Sequence, residues 1–231
     1  MPTSTATASR TDRSKMIQAV IFDLDGTLAD TIGDIGAAVN SLLAERGYPI
    51  HGIAVYKRMV GNGFANLMRR ALPENVVADE PLFSALAREA AARYAARSLE
   101  TTKPFDGIPG VLEALTDRGL RCAVLSNKPD AMTKSMVAAL FPSTTFVAVL
   151  GDRPNVPRKP DPAEALAIAA SSGIPAERWA FVGDSGVDMA TGAAAGMLPL
   201  GASWGYRSID ELLANGAAGI LHAPMDLLSR L

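Results

Sequence analysis

The sequence predicts an α/β fold, with a Rossmann-like parallel sheet as its core, helices on both faces of the sheet, and an inserted α-helical cap domain. Three observations lead to this prediction. Short apolar runs alternate with longer segments of helical periodicity, which is typical of a parallel sheet flanked by helices. One long interval has helical spacing only. Polar side chains suited to catalysis directly follow several apolar runs, at predicted carboxyl ends of strands, where open α/β sheets bind their ligands.

The composition is that of an ordinary globular protein. The chain has 231 residues, of which 48% are hydrophobic and 20% are charged, and its formal net charge is −2. This balance gives no reason to expect binding to nucleic acid or to a membrane surface, and no stretch approaches the ~20 apolar residues of a membrane span. The single cysteine, Cys122, lies in an apolar run, so we expect a core role for it and a cytoplasmic location for the protein. We expect a monomer or a homodimer.

The first segment, residues 1–15, is predicted to be a disordered leader. It is rich in serine and threonine, carries three basic residues, and lacks the apolar centre of a secretory signal. A transit peptide is the alternative.

The α/β core domain is assigned to residues 16–30 and 104–231. Gly119, Gly173 and Gly196 directly follow three predicted helices, where a left-handed cap is expected. The predicted strands are 17–22, 121–125, 145–150, 179–182, 197–201 and 219–221, and the predicted helices of the core are 108–118, 131–140, 163–172 and 187–195.

The interval between the two parts of the core, residues 31–103, is predicted to be the cap domain. Two apolar stripes at helical spacing indicate helices that bury one face each. An all-helical insertion that directly follows an acidic loop predicts a small cap over that loop. The stripes are Ile35, Val39, Leu42 and Leu43, and then Phe83, Leu86, Ala90 and Tyr94.

An acidic loop follows the first predicted strand. Asp23 and Asp25 are two residues apart, Gly26 permits a turn, and Thr27 adds a hydroxyl group. Two carboxylates held close together repel each other, so such a pair needs a cation or a shared proton. The sequence therefore favours a metal-assisted reaction at this loop. The alternative is a polar turn without chemistry.

Three further polar groups fall at or next to predicted strand ends. Ser126 and Asn127 follow the second core strand and could bind phosphate oxygens, although they could also simply start a helix. Lys159 lies before a Pro-x-Pro segment and could neutralise a negative intermediate, or it could be a solvated loop residue. Asp184 and Asp188 begin a helix, where the helix dipole favours carboxylates, but their position at a strand end is also typical of a Mg²⁺ site.

Together these residues resemble the haloacid dehalogenase superfamily of phosphotransferases. The resemblance covers nearly the whole chain after the leader, and its four motifs occur in order. They are D-x-D-G-T at 23–27, Ser126-Asn127, Lys159 before Pro160, and G-D-S-x-x-D at 183–188.

The resemblance implies a Mg²⁺-dependent phosphatase that acts through an aspartyl-phosphate. It makes Asp23 the nucleophile and Asp25 the general acid and base. The acid/base carboxylate argues against dehalogenation, and Thr27 favours hydrolysis over phosphoryl transfer within a sugar. The implied ligands of Mg²⁺ are Asp23, the backbone carbonyl of Asp25, Asp184 and Asp188, and the implied groups around the phosphate are Ser126, Lys159, Thr27 and Asn127.

Within the superfamily, the sequence is most similar to the phosphoglycolate phosphatase family. Its secondary markers are Gly61-Asn62-Gly63 with Arg70-Ala71-Leu72, Ser126-Asn127-Lys128-Pro129, and Trp204-Gly205-Tyr206. The resemblance implies a small-molecule phosphomonoester substrate, 2-phosphoglycolate first. Asn62, Arg70 or a neighbouring cation is expected to bind its carboxylate, because arginine suits bidentate carboxylate binding. We expect Trp204 and Tyr206 to pack the loop.

Other functions remain open on the sequence. A phosphatase for another sugar phosphate, amino-sugar phosphate or nucleotide would use the same residues, and so would a phosphoglucomutase. Gly183-Asp184-Ser185-Gly186 is similar to a serine-protease segment, but neither histidine lies near a recognisable triad element. A catalytically inactive binding protein should have lost a carboxylate or the loop lysine, and none is missing here.

Overall fold

The computed structural model describes residues 16–231, and the predicted leader lies outside the described residues. In chain order the strands are β1 (Ala19–Phe22), β2 (Ala29–Asp30), β3 (Lys103–Pro104), β4 (Arg121–Pro129), β5 (Phe146–Asp152), β6 (Trp179–Gly183), β7 (Leu198–Ala202) and β8 (Gly219–Leu221). The helices are α1 (Ile32–Glu45), α2 (Ile53–Met59), α3 (Phe64–Ala71), α4 (Glu74–Ala78), α5 (Glu80–Arg97), α6 (Ile108–Asp117), α7 (Asp130–Leu140), α8 (Ala163–Ser172), α9 (Gly186–Ala194) and α10 (Ile209–Ala214). Short 3₁₀ helices cover Ala176–Arg178 and Pro224–Ser229.

The core is a six-stranded, all-parallel sheet with the order β5-β4-β1-β6-β7-β8. The chain moves outward from β1 to β4 and β5 and then crosses back to β6. Strand order therefore reverses at β1. In open α/β sheets, ligands bind at the carboxyl ends of the strands beside such a reversal. The acidic loop that follows β1 occupies this position.

Both faces of the sheet are covered, as the fold class requires. Alternate residues of β1 point to opposite faces, because side chains alternate along a strand. Val20 and Phe22 are buried with α6 and α7, whereas Ala19 and Ile21 are buried with α8. Cys122 is buried in β4, where burial raises the pKa of its thiol to about 12, so its predicted core role is confirmed.

Helices α1 to α5 form an insertion between the short antiparallel strands β2 and β3, and we call residues 31–103 the helical insertion. The insertion has a hydrophobic cluster of its own, separate from the two clusters of the sheet. Both predicted apolar stripes are buried in that cluster, with α1 packed on α5.

The base of the helical insertion is fastened by one buried carboxylate. Asp34, in the first turn of α1, accepts hydrogen bonds from the backbone and hydroxyl groups of Thr101 and Thr102, at distances of 2.6–3.1 Å. Burial by itself would raise the pKa of Asp34, but these hydrogen bonds outweigh it and hold the pKa below its usual value. The segment that leaves the insertion is thereby fixed to the segment that enters it.

The predicted elements agree with the structure within one or two residues, with one informative exception. The second core strand was predicted to end at residue 125, but β4 continues to Pro129, because Pro129 still pairs with Asp152 of β5 after a register shift. The three predicted cap glycines, Gly119, Gly173 and Gly196, have φ values of 73°, 71° and 70° and confirm that prediction. Among the described residues, none of the helices combines the length and the hydropathy needed to cross a membrane.

Candidate active site

The loop after β1 lies at the centre of the candidate site. The backbone of Asp23 donates a 2.9 Å hydrogen bond to Val182 of β6, which continues the sheet for one residue. Gly26 has a φ of 87°, and a Cβ atom at this position would overlap the Asp184 carboxylate. Only glycine allows both this left-handed turn and this close approach. The turn brings the loop against the residues that follow β6.

Three carboxylates meet at this edge of the sheet. Asp23, Asp184 and Asp188 are buried, and each offers an oxygen within 4.8 Å of the others. The Lys159 ammonium lies among them, 2.8 Å from Asp23 Oδ1 and 2.7 Å from Asp188 Oδ1. Asp188 also accepts hydrogen bonds from the backbone and hydroxyl groups of Ser185, in the capping box that starts α9. The capping box therefore holds the Asp188 carboxylate in position within the cluster.

This crowding raises the pKa of two of the carboxyl groups. The pKa of Asp23 rises to about 7, mainly because burial disfavours the charged form, with Lys159 opposing the rise and Asp188 adding to it. The pKa of Asp184 lies well above its usual value because of burial and the charges of Asp188 and Asp23. The pKa of Lys159 is raised, because Asp188 and Asp23 outweigh its own desolvation.

The residues present fit a hard divalent cation. Asp23, Asp184 and Asp188 supply only oxygen donors, which is the donor set that Mg²⁺ prefers. Together with Asp25, four carboxylates face the two ammonium groups of Lys128 and Lys159, so the ionised site has an excess of two negative charges. A divalent cation would balance that excess. The Asp25 carboxylate is not part of the cluster.

The Asp25 carboxylate is instead bound by Thr31 and Lys128. Its Oδ1 accepts a 2.7 Å hydrogen bond from Thr31 Oγ1, and the Lys128 ammonium lies 2.7 Å from Oδ1 and 2.9 Å from Oδ2. Lys128 Nζ also donates to the hydroxyl group of Tyr94, on α5 of the helical insertion, at 2.8 Å. The desolvation of Lys128 is outweighed by Asp25 and Tyr94, which raise its pKa. Lys128 therefore joins the acidic loop to the helical insertion.

Ser126 and Asn127 lie side by side in β4 but have different surroundings. Ser126 lines the same cavity as Asp23 and Asp25, and its hydroxyl accepts a 3.3 Å hydrogen bond from the backbone of Lys128. Both amide hydrogens of Asn127 are donated to backbone carbonyls, those of Gly61 and Lys159, and its oxygen accepts from the Lys159 backbone. Asn127 therefore positions Lys159 and the edge of the helical insertion.

Three residues singled out in the sequence, Thr27, Trp204 and Tyr206, make contacts around the acidic loop. The Thr27 hydroxyl, predicted to bind substrate, donates to Asp184 Oδ1 at 3.3 Å. Trp204 donates its indole N–H to the Thr27 carbonyl, and the backbone of Tyr206 donates to Asp184 Oδ2 at 2.7 Å. The Tyr206 hydroxyl accepts a hydrogen bond from the backbone of Thr31. The segment with Trp204 and Tyr206 packs on the acidic loop, as expected.

A small cavity of about 50 Å³ lies between the acidic loop and the helical insertion. Polar groups of the core line one side of it, and mostly apolar groups of the insertion line the other. Its lining residues are Asp23, Asp25, Ile35, Val60, Gly61, Gly63, Phe64, Leu67, Ala91, Tyr94, Ser126, Asn127, Lys128, Pro129 and Met132.

The structure does not bring the two expected carboxylate readers to this cavity. Arg70 is exposed at the end of α3, and its guanidinium donates to the backbone carbonyls of Arg58 and Met59. Asn62 lies outside the cavity lining, although its neighbours Gly61 and Gly63 are part of it. In this conformation neither Asn62 nor Arg70 lines the cavity.

Sequence reasoning did not assign roles to Lys128, Thr31 and Tyr94. For Lys128 a signal existed. Had the strand been extended to Pro129, its alternation would have placed Lys128 on the same side as Ser126. Thr31 and Tyr94 belong to the helical insertion, and they lie at the site because of the way the insertion folds back over the acidic loop. No local sequence pattern predicts that arrangement.

Comparisons with known proteins show the family of this chain. The model of the haloacid dehalogenase-like hydrolase family matches residues 17–196. A phosphoglycolate phosphatase of Rhodospirillum rubrum is 36% identical over 210 residues, with 89% of this chain and 87% of that protein covered. A phosphoglycolate phosphatase of Pseudomonas savastanoi pv. phaseolicola is 35% identical over 197 residues, with 84% of this chain and 72% of that protein covered.

Solved structures show the same fold. A predicted phosphoglycolate phosphatase from Haemophilus somnus superposes with a TM-score of 0.85 at 25% sequence identity, and 93% of this chain and 97% of that chain are covered. The fold, the carboxylate cluster and the family match define the class of protein: the chain belongs to the haloacid dehalogenase-like hydrolase family. Within that family it is a phosphoric monoester hydrolase, most similar to phosphoglycolate phosphatases.

Proposed function

We propose that this hydrolase is a Mg²⁺-dependent phosphatase that acts on a small phosphomonoester, 2-phosphoglycolate, through an aspartyl-phosphate on Asp23. The observation that carries the proposal is the meeting of Asp23, Lys159 and two further carboxylates at the point where the sheet order reverses, with Asp25 beside them. Nucleophile, cation and acid/base group are thereby within reach of one phosphate group.

The carboxylate cluster is the proposed metal site. Asp23, Asp184 and the backbone carbonyl of Asp25 would hold Mg²⁺, with Asp188 as direct or water-mediated support. When bound, Mg²⁺ supplies positive charge that offsets the repulsion between Asp23 and the phosphate.

In the first step, Asp23 attacks phosphorus in line and the bond from phosphorus to the leaving oxygen breaks. Covalent catalysis of this kind divides a difficult hydrolysis into two easier steps. Lys159, 2.8 Å from Asp23, is placed to stabilise the transferring phosphoryl group. The Ser126 hydroxyl donates to no residue within 16–231, so its hydrogen is available for a phosphate oxygen.

Asp25 serves both steps as the proton carrier. It protonates the leaving alkoxide and then removes a proton from the water that hydrolyses the aspartyl-phosphate. Its contacts with Thr31 and Lys128 hold the carboxyl group in one orientation next to the cavity. Such positioning supplies much of the catalysis in phosphoryl transfer.

The helical insertion, residues 31–103, is proposed to act as a cap domain over a core domain of residues 16–30 and 104–231. Its own hydrophobic cluster supports a separate unit, and its apolar residues line the cavity from the side opposite Asp23. Closure would exclude water while the leaving group departs.

The choice of 2-phosphoglycolate is supported by the relatives described above, which are phosphoglycolate phosphatases. The small size of the cavity, about 50 Å³, is consistent with a small substrate.

Phosphate release across a panel of phosphomonoesters tests the function. The panel contains 2-phosphoglycolate, a hexose phosphate, an amino-sugar phosphate and a nucleotide. We expect the highest kcat/KM with 2-phosphoglycolate, loss of activity with EDTA, and recovery with added Mg²⁺ because the metal offsets charge at the nucleophile. Activity that is indifferent to EDTA would contradict the metal site, and a rearranged sugar phosphate without released phosphate would indicate a mutase.

The affinity for Mg²⁺ is expected to rise with pH. The raised pKa values of Asp23, about 7, and of Asp184 mean that these groups hold protons at lower pH, and the metal must displace them. From about pH 6 to about pH 8, the apparent affinity should rise by up to roughly tenfold per pH unit for each displaced proton. Calorimetric titration of the metal-free protein with MgCl₂ measures this. Equal dissociation constants at both pH values would contradict the shifted pKa values.

A further inference from the structure

We infer that Lys128 is the specificity-determining residue that selects substrates whose leaving group carries an anionic substituent, such as a carboxylate. This inference rests on the proposed phosphatase function and deepens it. It replaces Arg70 and Asn62, which the structure places outside the cavity lining, as the groups that read the substrate.

Lys128 is the only basic side chain among the described residues that line the cavity. The helical insertion contributes apolar side chains there, apart from the hydroxyl group of Tyr94. A carboxylate buried among these apolar groups without a partner would lose its hydration at a high cost. An anionic leaving group can therefore be accommodated only where it reaches the Lys128 ammonium.

The position of the ammonium group fits the leaving-group side of the reaction. Lys128 Nζ lies 2.7 Å from Asp25, the proposed proton donor to the leaving oxygen. Lys159, the other buried ammonium at the site, is paired with Asp23 and Asp188 on the phosphate side. Lys159 would therefore face the phosphate group of the substrate, and Lys128 would face its leaving group.

Two arginines near the helical insertion, Arg207 and Arg158, have other partners. Arg207 donates to the backbone carbonyls of Arg58 and Val60, and Arg158 pairs with Asp152. Neither arginine lines the cavity. Within residues 16–231, Lys128 alone combines positive charge, burial and a place in the cavity wall, with a side chain that is 3% exposed.

The test compares two substrates of similar size. 2-Phosphoglycolate carries a carboxylate on its leaving group, and 2-hydroxyethyl phosphate carries a neutral hydroxymethyl group in its place. The measured quantity is the ratio of their kcat/KM values. Because charge-assisted hydrogen bonds are the strong ones in such sites, we expect wild type to favour the carboxylate substrate by about 10- to 100-fold. A wild-type ratio near one would overturn the inference.

Lys128→Met should reduce this ratio to within a few-fold of one, whereas Lys128→Arg, which keeps the charge, should retain part of the preference. If Lys128 only orients Asp25 or holds the insertion, Lys128→Met would lower both kcat/KM values equally. An unchanged ratio would therefore overturn the inference. Arg70→Ala is the matched control, and it should leave the ratio as in wild type, since Arg70 lies outside the cavity lining.

A second measurement covers the case in which Lys128→Met does not fold. A crystal structure of Asp23→Asn with bound 2-phosphoglycolate should place the substrate carboxylate within hydrogen-bond distance of Lys128 Nζ, and a carboxylate bound elsewhere would overturn the inference. Wild type that releases phosphate from both substrates without preference contradicts only the role of Lys128. Wild type that releases phosphate from no phosphomonoester contradicts the proposed function itself.

Discussion

Asp23→Asn is expected to abolish phosphate release, with kcat reduced by at least about 10⁴-fold, because an amide cannot form the covalent intermediate that divides the reaction into two steps. The substitution changes a single non-hydrogen atom of the side chain, so the shape of the site is kept. Phosphate release from 2-phosphoglycolate by purified variant and wild type measures the loss.

The same substitution should leave the protein folded. Burial raises the pKa of Asp23 from 3.8 to about 7, so in the metal-free protein this group lowers the stability progressively as pH rises from its ordinary pKa to about 7, and the full cost is present above that value. Asparagine removes this charge, and the melting temperature of metal-free Asp23→Asn at neutral pH should equal or exceed that of wild type. The exposed Asp117→Asn is a matched control that should keep full activity. Residual turnover close to wild type in Asp23→Asn would contradict the covalent mechanism.

Asp25→Asn should produce the second-largest effect, a loss of about 10²- to 10⁴-fold in kcat/KM for 2-phosphoglycolate, since general acid catalysis contributes on that order. The alkoxide of this substrate is a poor leaving group and needs a proton as it departs. Steady-state phosphate release measures the loss, and a thermal unfolding curve checks that the variant keeps its fold after Lys128 loses its charged partner.

The chemical role of Asp25 can be separated from a structural one by changing the leaving group. Acetyl phosphate is small, and its leaving group, acetate, needs no proton. Asp25→Asn should therefore slow the transfer of phosphate from acetyl phosphate to Asp23 far less than the transfer from 2-phosphoglycolate. The second step still lacks its base, and acetate should therefore appear in a burst of about one equivalent before a slow steady state. Equal losses with both substrates and no burst would indicate that Asp25 acts only by holding Lys128 and Thr31.

Much of the fold was predictable because its signals are local. The strands β1 and β6 are continuous apolar runs, as strands covered on both faces must be, and Gly119, Gly173 and Gly196 marked helix ends through a conformation that glycine favours. The meeting of Asp23, Lys159 and Asp184 was also predictable, since parallel strands bring their carboxyl ends to one edge of the sheet.

The features that local patterns do not encode depend on contacts between distant parts of the chain. The end of β4 was placed too early because Pro129 pairs with Asp152, and no local pattern encodes that pairing. Arg70 was chosen for its charge, but the packing of α3 directs its guanidinium to the carbonyls at the end of α2. Lys128 contacts both Asp25 and Tyr94, and Tyr94 belongs to a helix of the insertion that no local pattern places next to the acidic loop.

The bond between Asp23 and phosphorus is the central claim, and a crystal structure of wild type with Mg²⁺ and beryllofluoride tests it most directly. Beryllofluoride mimics a phosphoryl group on a carboxylate. We expect beryllium bonded to an oxygen of Asp23, fluorine atoms facing Ser126 and Lys159, and an ion held by Asp23 and Asp184. Beryllofluoride bound to another residue, or an Asp23 side chain with no ion beside it, would contradict the account.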